Sequence, residues 1–532
     1  MGIQTLWQRL WSERPVGADG SGATAADMHT PDPLLDGVTP LRILLSPLTG
    51  DSTGRGAEHI FDGLNGRPGI TARFAERPLC APGADNREPL FLSMAVDLGR
   101  RWLKREEADL LIWGETVTGP ALERDGPPHV SWRLRFLGAG SPVQAHGASL
   151  SALERLELPA FYNAAAGELV FGAALAAVNV ESAEGLRARA RMFRPALKAA
   201  THHAEGDMIG TVAEGATAQV CYAALLLLDG ARTGDLKLLE RAIAVYQGAL
   251  ILGMDAFGEH ERAMIGSHIA DALMMIADIT GRPKLITRCI DYYRTALSMV
   301  RKDVFSEEFA GLKTRLGGAL HAQAAANAQA APLKEAAECY AAATAIWTIT
   351  DTPQRWADIQ NSLGGLLITM GRLSRQPNLF DRAVTVFTKI AEVQTRAKAP
   401  LVWATTLANI GAALKEKGMA VHNVDVLQRA ADAFSQAGEV FHELHLENNA
   451  QIVEAHRAQV MKLLSAPRHP GHGYKSCIAM TCSMSAARFA ARSKQNRHIG
   501  LPKPIERKAP ARIPAPFNEA WTPRFERPRS WP

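Results

Sequence analysis

The sequence predicts a multidomain chain in which a small α/β domain precedes an all-α helical solenoid, with disordered termini. Three observations carry this. A pattern of apolar and small residues recurs every 47 residues through the second half of the chain. The stretch before it alternates strand-like and helix-like segments. Both ends change to compositions that cannot bury a core.

The repeat is anchored on small residues at 47-residue steps: Ala242, Cys289, Ala336, Ala383 and Ala430. Four positions after each lies an aromatic ring: Tyr246, Tyr293, Tyr340, Phe387 and Phe434. Three before stand Leu239, Ile286, Leu333, Phe380 and Leu427, and seven after stand Ala249, Ala296, Ala343, Ile390 and Ala437. These offsets put four apolar side chains on one helix face. The small residue admits a neighbouring helix, and the aromatic fills the space it leaves. A partner helix keeps the same step, through Leu316-Gly317, Leu363-Gly364 and Ile410-Gly411, with Ile269-Ala270 in the earlier copy. Trp356 maps onto Trp403 and Phe309. Helix pairs of this kind stack on their neighbours to bury their apolar faces.

On these residues the chain resembles the tetratricopeptide-repeat family. The small-aromatic-small pattern of that family's second helix is matched by Ala242/Tyr246/Ala249, Ala336/Tyr340/Ala343 and Ala430/Phe434/Ala437. Its Leu-Gly pair is matched by Leu316-Gly317 and Leu363-Gly364. Cys289 and Ile390 depart from the pattern, and the family's turn proline is missing. The period is also longer, with 19 steps between Gly364 and Ala383, so either the helices or the turn within each pair must be extended. Five repeats are expected over 208–444 (208–254, 255–301, 302–348, 349–395 and 396–444), preceded by a connecting helix at 181–207. A capping helix is expected in 445–465. The resemblance implies that a protein or peptide partner is held on the concave face.

Within 41–180 the expected order is β-α-β-α-β-β-α. Leu41 to Leu48 reads as a buried strand, Gly56 to Leu64 as a helix and Ile70 to Arg77 as an alternating strand. Leu90 to Glu107 reads as an amphipathic helix and Asp109 to Glu115 as a buried strand. His129 to Leu137 alternates and is expected to be partly exposed, and Leu158 to Val178 is expected to be helical. The segments Arg42–Leu48, Ala108–Glu115 and Trp132–Leu137 resemble the TolB amino-terminal domain, which in bacterial proteins often precedes tetratricopeptide repeats. That resemblance implies an interaction or assembly role and brings no catalytic residue.

Composition narrows the function classes. The net charge of +5 conceals a tail, 466–532, that carries 13 Lys and Arg against 3 Asp and Glu, leaving the other 465 residues net acidic. Ten prolines accompany those charges, so the tail is expected to be disordered and basic. A nucleic-acid role through this tail is one alternative, but it lacks the basic folded face that such binding wants. Six scattered cysteines make no disulfide framework. No apolar run reaches the length of a membrane span, and Met1 to Pro15 lacks a signal-peptide pattern. The expected location is the cytoplasm.

Four places could carry chemistry. Gly50-Asp51-Ser52-Thr53-Gly54-Arg55-Gly56 joins a strand to a helix, where a phosphate-binding loop would sit, but Arg55-Gly56 stands where a nucleotide loop needs Lys then Ser or Thr. A ligand-sensing regulator that binds an anion or nucleotide there is the second alternative. His469, His472, Cys477 and Cys482 could ligate zinc, but no compact fold is expected around them. His202-His203 is expected to be a surface pair. Ile3, Leu6, Trp7, Leu10 and Trp11 share one face of a short helix in a flexible 1–40 extension, which could dock on protein or, through residues 3–11, touch a membrane surface weakly. No nucleophile triad, acid/base pair or cofactor loop emerges. The sequence therefore reads as a non-enzymatic interaction scaffold without cofactor, metal or small-molecule substrate.

Overall fold

The computed structural model describes residues 40–67, 69–80, 88–121, 126–139, 150–160, 164–178 and 211–465. The short helix at 3–11, the connecting segment 181–207 with His202-His203, and the basic tail with its His and Cys residues lie outside the described residues.

The first part consists of β1 (Leu41–Leu45), α1 (Arg55–Leu64), β2 (Ile70–Phe74), α2 (Pro89–Arg105), β3 (Leu110–Gly119), β4 (His129–Gly138), β5 (Leu156–Pro159) and α3 (Ala164–Ala177). The strands form one sheet in the order β2-β1-β3-β4-β5. β1 is parallel to β2 and β3, so each crossover carries a helix, whereas β3, β4 and β5 run antiparallel. Pro89 opens α2, and the Glu88 carboxylate accepts from the backbone N–H groups of Leu90 and Phe91. Gly99 lets α2 lie close on the sheet, since a Cβ there would come within 2.9 Å of Leu111 and Leu137.

Two expectations are corrected here. Leu158 does not begin a helix: Leu156–Pro159 is the edge strand β5, paired with Ser131 to Leu134, and the helix starts at Ala164. Pro159 ends that edge, where a missing N–H is tolerated. Nor is β4 partly exposed: Trp132 to Leu137 is buried on both faces. The polar alternation of Arg133 and Arg135 marks a face covered by charged partners, described below.

Eleven described helices follow: α4 (Val212–Thr233), α5 (Leu236–Leu252), α6 (Glu259–Thr280), α7 (Pro283–Met299), α8 (Ser306–Asn327), α9 (Ala331–Thr344), α10 (Pro353–Ser374), α11 (Asn378–Val393), α12 (Pro400–Val421), α13 (Val424–Glu443) and α14 (Glu447–Ser465). They form five helical hairpins and a terminal helix, α14, packed on α13. The first helix of every hairpin has 22 residues, and these helices start 47 residues apart. Each ends in a left-handed cap at the same step: Gly234, Gly281, Ala328, Arg375 and His422, with φ between 52° and 68°. Each cap N–H returns to a carbonyl four residues back. The turn inside each hairpin is only two or three residues, so the added length of the repeat lies in its helices. Each expected repeat begins four residues ahead of its first helix.

Packing explains the pattern. A Cβ on Gly317 would lie 2.9 Å from the Tyr340 ring, one on Gly364 2.4 Å from Phe387, and one on Gly411 2.9 Å from Phe434. A second set of contacts lies two turns further along: Gly230 under Leu239, Gly371 under Phe380 and Gly418 under Leu427. The rings and leucines of these pairs are almost fully buried, each stabilising by about 1.5–3 kcal/mol. α4 and α6 are long and apolar enough to cross a membrane, yet both are mostly buried among the other helices.

Candidate functional site: an inner groove beside a charged junction

All fifteen repeat residues singled out in the sequence lie in the array. Ala242, Tyr246, Cys289, Tyr293, Ala336, Tyr340, Ala383, Phe387, Ala430 and Phe434 are buried between helices, as is Trp356, while Trp403 is partly covered. Gly317, Gly364 and Gly411 accept the rings above them. These residues pack between the helices and build the array.

The sheet joins the array through buried charge. Arg133 on β4 donates to Glu157 on β5 at 2.8 Å and to Glu115 on β3 at 2.7 Å. Arg155, just before β5, donates to Glu157 at 2.7 Å, to the Ala256 carbonyl at 2.7 Å and to Glu261 on α6. Glu154 receives His268 of α6 at 2.9 Å, and Asp271, one turn along, accepts from Tyr293 and, at 3.0 Å, from Arg315 of α8. Arg135 donates to the Leu153 carbonyl at 2.6 Å. Five basic side chains (Arg133, Arg135, Arg155, His268 and Arg315) thus face five carboxylates (Glu115, Glu154, Glu157, Glu261 and Asp271). Beside them Glu214 of α4 accepts from Ser131 at 2.6 Å and lies 2.8 Å from the ring nitrogen of His129.

This environment sets the protonation states. Burial alone would lower His268, but the charge and hydrogen bond of Glu154, with Asp271, outweigh it and raise its pKa. Burial lowers Arg135 to about 10 and His260 to about 4. Desolvation opposes both members of the Arg155 and Glu157 pair, yet their partners leave Arg155 raised and Glu157 lowered. The four described cysteines, Cys80, Cys221, Cys289 and Cys339, are free, and burial raises the pKa of each. A reactive thiolate is therefore not among them.

α2 also reaches the array. Ser93 donates to the Val304 carbonyl at 2.7 Å, and Arg100 pairs with Glu307 of α8 at 3.1 Å. The cleft left there, about 80 Å³, is lined by Ser93, Asp97, Arg100, Leu153, Glu307 and Glu308. It is far smaller than a typical ligand pocket.

Beyond this junction the first helices of successive hairpins are linked by polar pairs. Arg355 of α10 donates to Glu307 of α8 at 2.5 Å, His321 of α8 lies 2.8 Å from Thr369 of α10, and Asn409 of α12 donates to Asn361 of α10 at 3.3 Å. The row 355, 362, 369 therefore faces the preceding hairpin and the row 354, 361, 368 the following one. Positions 358 and 365 fall between the two rows, on the inner side of the array. Gly318, Gly365 and Ala412 are equivalent there, and so are Asp358 and Thr405. The Asp358 carboxylate has no hydrogen-bond or ion-pair partner among the described residues, and burial pushes it up to about 7. Burial lowers His321 to about 4, so the imidazole is neutral. Sequence reasoning missed this row. Its one sequence signal is the doubled glycine, Gly317-Gly318 and Gly364-Gly365, of which packing uses only the first.

The loop Gly50–Gly56 is closed by its own residue. Asp51 accepts from the backbone N–H of Gly56 at 2.8 Å and from the Thr53 hydroxyl at 2.9 Å. An anion at the start of α1 would have to displace that carboxylate. Among the described residues no group of three or more His, Cys, Asp or Glu is arranged to hold a metal ion.

Comparison with known proteins adds little. No family model matches the chain, and no curated protein does. Among the solved structures it resembles is the crystal structure of BtubC (BKLC) from P. vanneervenii, at 20% identity and a TM-score of 0.31, covering 50% of this chain and 93% of that one.

Proposed function

We propose that the chain is a non-enzymatic adaptor whose tetratricopeptide-like array holds a segment of a partner protein along its inner groove. The observation that supports this is the array itself: first helices of constant length and spacing whose inner side carries small and polar residues at 318, 358, 365, 405 and 412, of which Gly318, Asp358 and Ala412 are partly exposed. An unbroken register leaves no insertion between α4 and α13 in which a catalytic loop could stand. The front domain, whose strands β1, β3 and β4 carry the TolB-like segments, fixes one end of the array through the charged junction. In this reading it anchors the complex rather than binding the partner, and a reducing cytoplasm suits its free cysteines.

The test is site-directed photo-crosslinking in the full chain. A photoreactive residue at Ala412, on the inner side of α12, should capture the partner, and one at Thr388, exposed on α11, should not. Capture at Thr388 with none at Ala412 would place binding on the outer surface and overturn the proposal.

A further inference from the structure

Because the array repeats without insertion, each hairpin serves as a control for the others. At one corner of the first hairpin four large apolar side chains stand in water. They are Val212 at the start of α4 and Ile251, Leu252 and Met254 at and just beyond the end of α5, exposed by 57%, 75%, 42% and 61%. The two helix ends meet there: a Cβ on Gly215, one turn after Val212, would lie 3.7 Å from Leu252, and one on Gly253 2.8 Å from Ala216. The other hairpins do not repeat this cluster. At 47-residue steps Ile251 becomes Ser298, Ala345, Glu392 and Glu439, and Met254 becomes Arg301, Thr348, Thr395 and His442. Val212 becomes Glu259, Ser306, Pro353 and Pro400. Only Leu252 keeps its apolar step, and its equivalents Met299, Ile346, Val393 and Val440 are better covered. The fold therefore makes this corner without large apolar side chains, and a cluster held in water in one copy alone marks an interaction surface.

We propose that this corner is the docking site of the chain's own segment 3–11. The inference is independent of the adaptor reading. Ile3, Leu6, Trp7, Leu10 and Trp11 recur at the spacing of one helix face, so the segment offers an apolar stripe of matching kind. Charge agrees. The rim of the corner carries Asp255 and Glu259, both exposed and without an ion pair among the described residues. Arg262 beside them donates to the Met254 and Phe257 carbonyls. The segment brings Arg9 and, just beyond it, Arg14. An anionic membrane surface would meet the same two carboxylates and be repelled, so charge favours the segment over lipid. Reach agrees as well. Glu214, half a turn beyond Val212, holds Ser131 and His129, and His129 pairs with Gly119 at the far end of β3. β1 runs parallel to β3 and starts at the opposite end. Leu41 and the corner are therefore separated by roughly 40 Å at about 3.3 Å per strand residue. Trp11 is joined to Pro40 by 28 residues, which span up to about 90 Å when extended and about 30 Å as a flexible coil.

The experiment uses the full chain with a photoreactive benzophenone side chain at position 7, irradiated and mapped by peptide mass spectrometry. Crosslinks from position 7 to 212–216 or 251–254 of the same chain are expected. Mixing isotope-labelled with unlabelled chain separates contacts within one chain from contacts between copies. Ile251→Ser together with Met254→Arg, the residues that the second hairpin carries at those steps, should abolish the crosslinks. The double variant should melt with the parent, so that a folding defect cannot account for the loss. Crosslinks that survive the double change, that fall on 179–210 or elsewhere in the array, or that join two copies would overturn the proposal. Absence of any crosslink would overturn it too. Flotation of the full chain with phosphatidylcholine–phosphatidylglycerol vesicles, lost in Trp7→Ala, would overturn it in favour of a membrane surface.

Discussion

Phe387 stands directly over Gly364, so close that a Cβ on the glycine would lie 2.4 Å from the ring. The next residue, Gly365, has no neighbour within 3.7 Å of the same added atom. Two adjacent glycines on one helix therefore answer to different constraints. Gly364→Ala should destabilise the array by about 1–3 kcal/mol, because the ring must move within a packed core. Gly365→Ala should be neutral or stabilise by about 0.5–1 kcal/mol through helix propensity. Urea denaturation of the two variants checks this, and equal losses would show that position 365 also packs inside the array.

The junction makes a second prediction. Arg155 and Glu261 are nearly fully buried, one beside the edge strand and the other at the start of α6. Glu261→Gln leaves Glu157 as the one carboxylate bonded to Arg155, and breaking a buried pair on one side typically costs about 3–5 kcal/mol. Replacing both, as Arg155→Met with Glu261→Leu, should recover much of that loss. A double-mutant cycle on melting temperature and denaturation reads the coupling. Additive losses would show that the two charges act independently. The same burial implies that 41–180 and 200–465 expressed apart would expose unpaired charge, so binding belongs to the full chain.

What the sequence made legible follows from how local each signal is. The anchor and aromatic of each second helix are four residues apart, so one helix suffices to read Ala383 with Phe387, and the 47-residue step extends it. The left-handed caps escaped notice because only Gly234 and Gly281 announce themselves, while Ala328, Arg375 and His422 adopt the same conformation without a glycine. Arg133 and Arg135 resembled the wet face of a strand, since their partners, Glu115, Glu157 and the Leu153 carbonyl, come from other segments 18 to 24 residues away. Leu158 was placed in a helix because the apolar run that continues through α3 hides the short strand before it. Asp358 carried no pattern at all, and only the rows on either side of it show where it lies.

His268 gives a pH dependence with a definite sign. The folded protein raises its pKa above the unfolded value of 6.5, through Glu154 and Asp271 against the opposing effect of burial. The stabilisation from its charge is therefore complete below about pH 6.5 and disappears as pH rises through the raised folded value. His268→Gln should cost most in mildly acidic buffer and least at alkaline pH, where the parent has lost the same charge. Melting curves of parent and variant across this range check it. A constant gap between them at every pH would mean that His268 does not titrate in the window its neighbours impose.

Asp358 gives the opposite sign. Burial raises its carboxyl from 3.8 to about 7, so the native chain holds this proton where the unfolded chain has released it. Between about pH 4 and pH 7 the native state binds more protons, and stability from this group falls as pH rises. That rise sets a ceiling of about 4 kcal/mol, and partial exposure of the residue lowers the expected effect to about 1–3 kcal/mol. Asp358→Asn keeps the shape and removes the charge. It should melt with the parent near pH 4 and above it near pH 8, a gain of several degrees. An asparagine variant that melts below the parent at pH 8 would show that the carboxylate is already compensated within the fold.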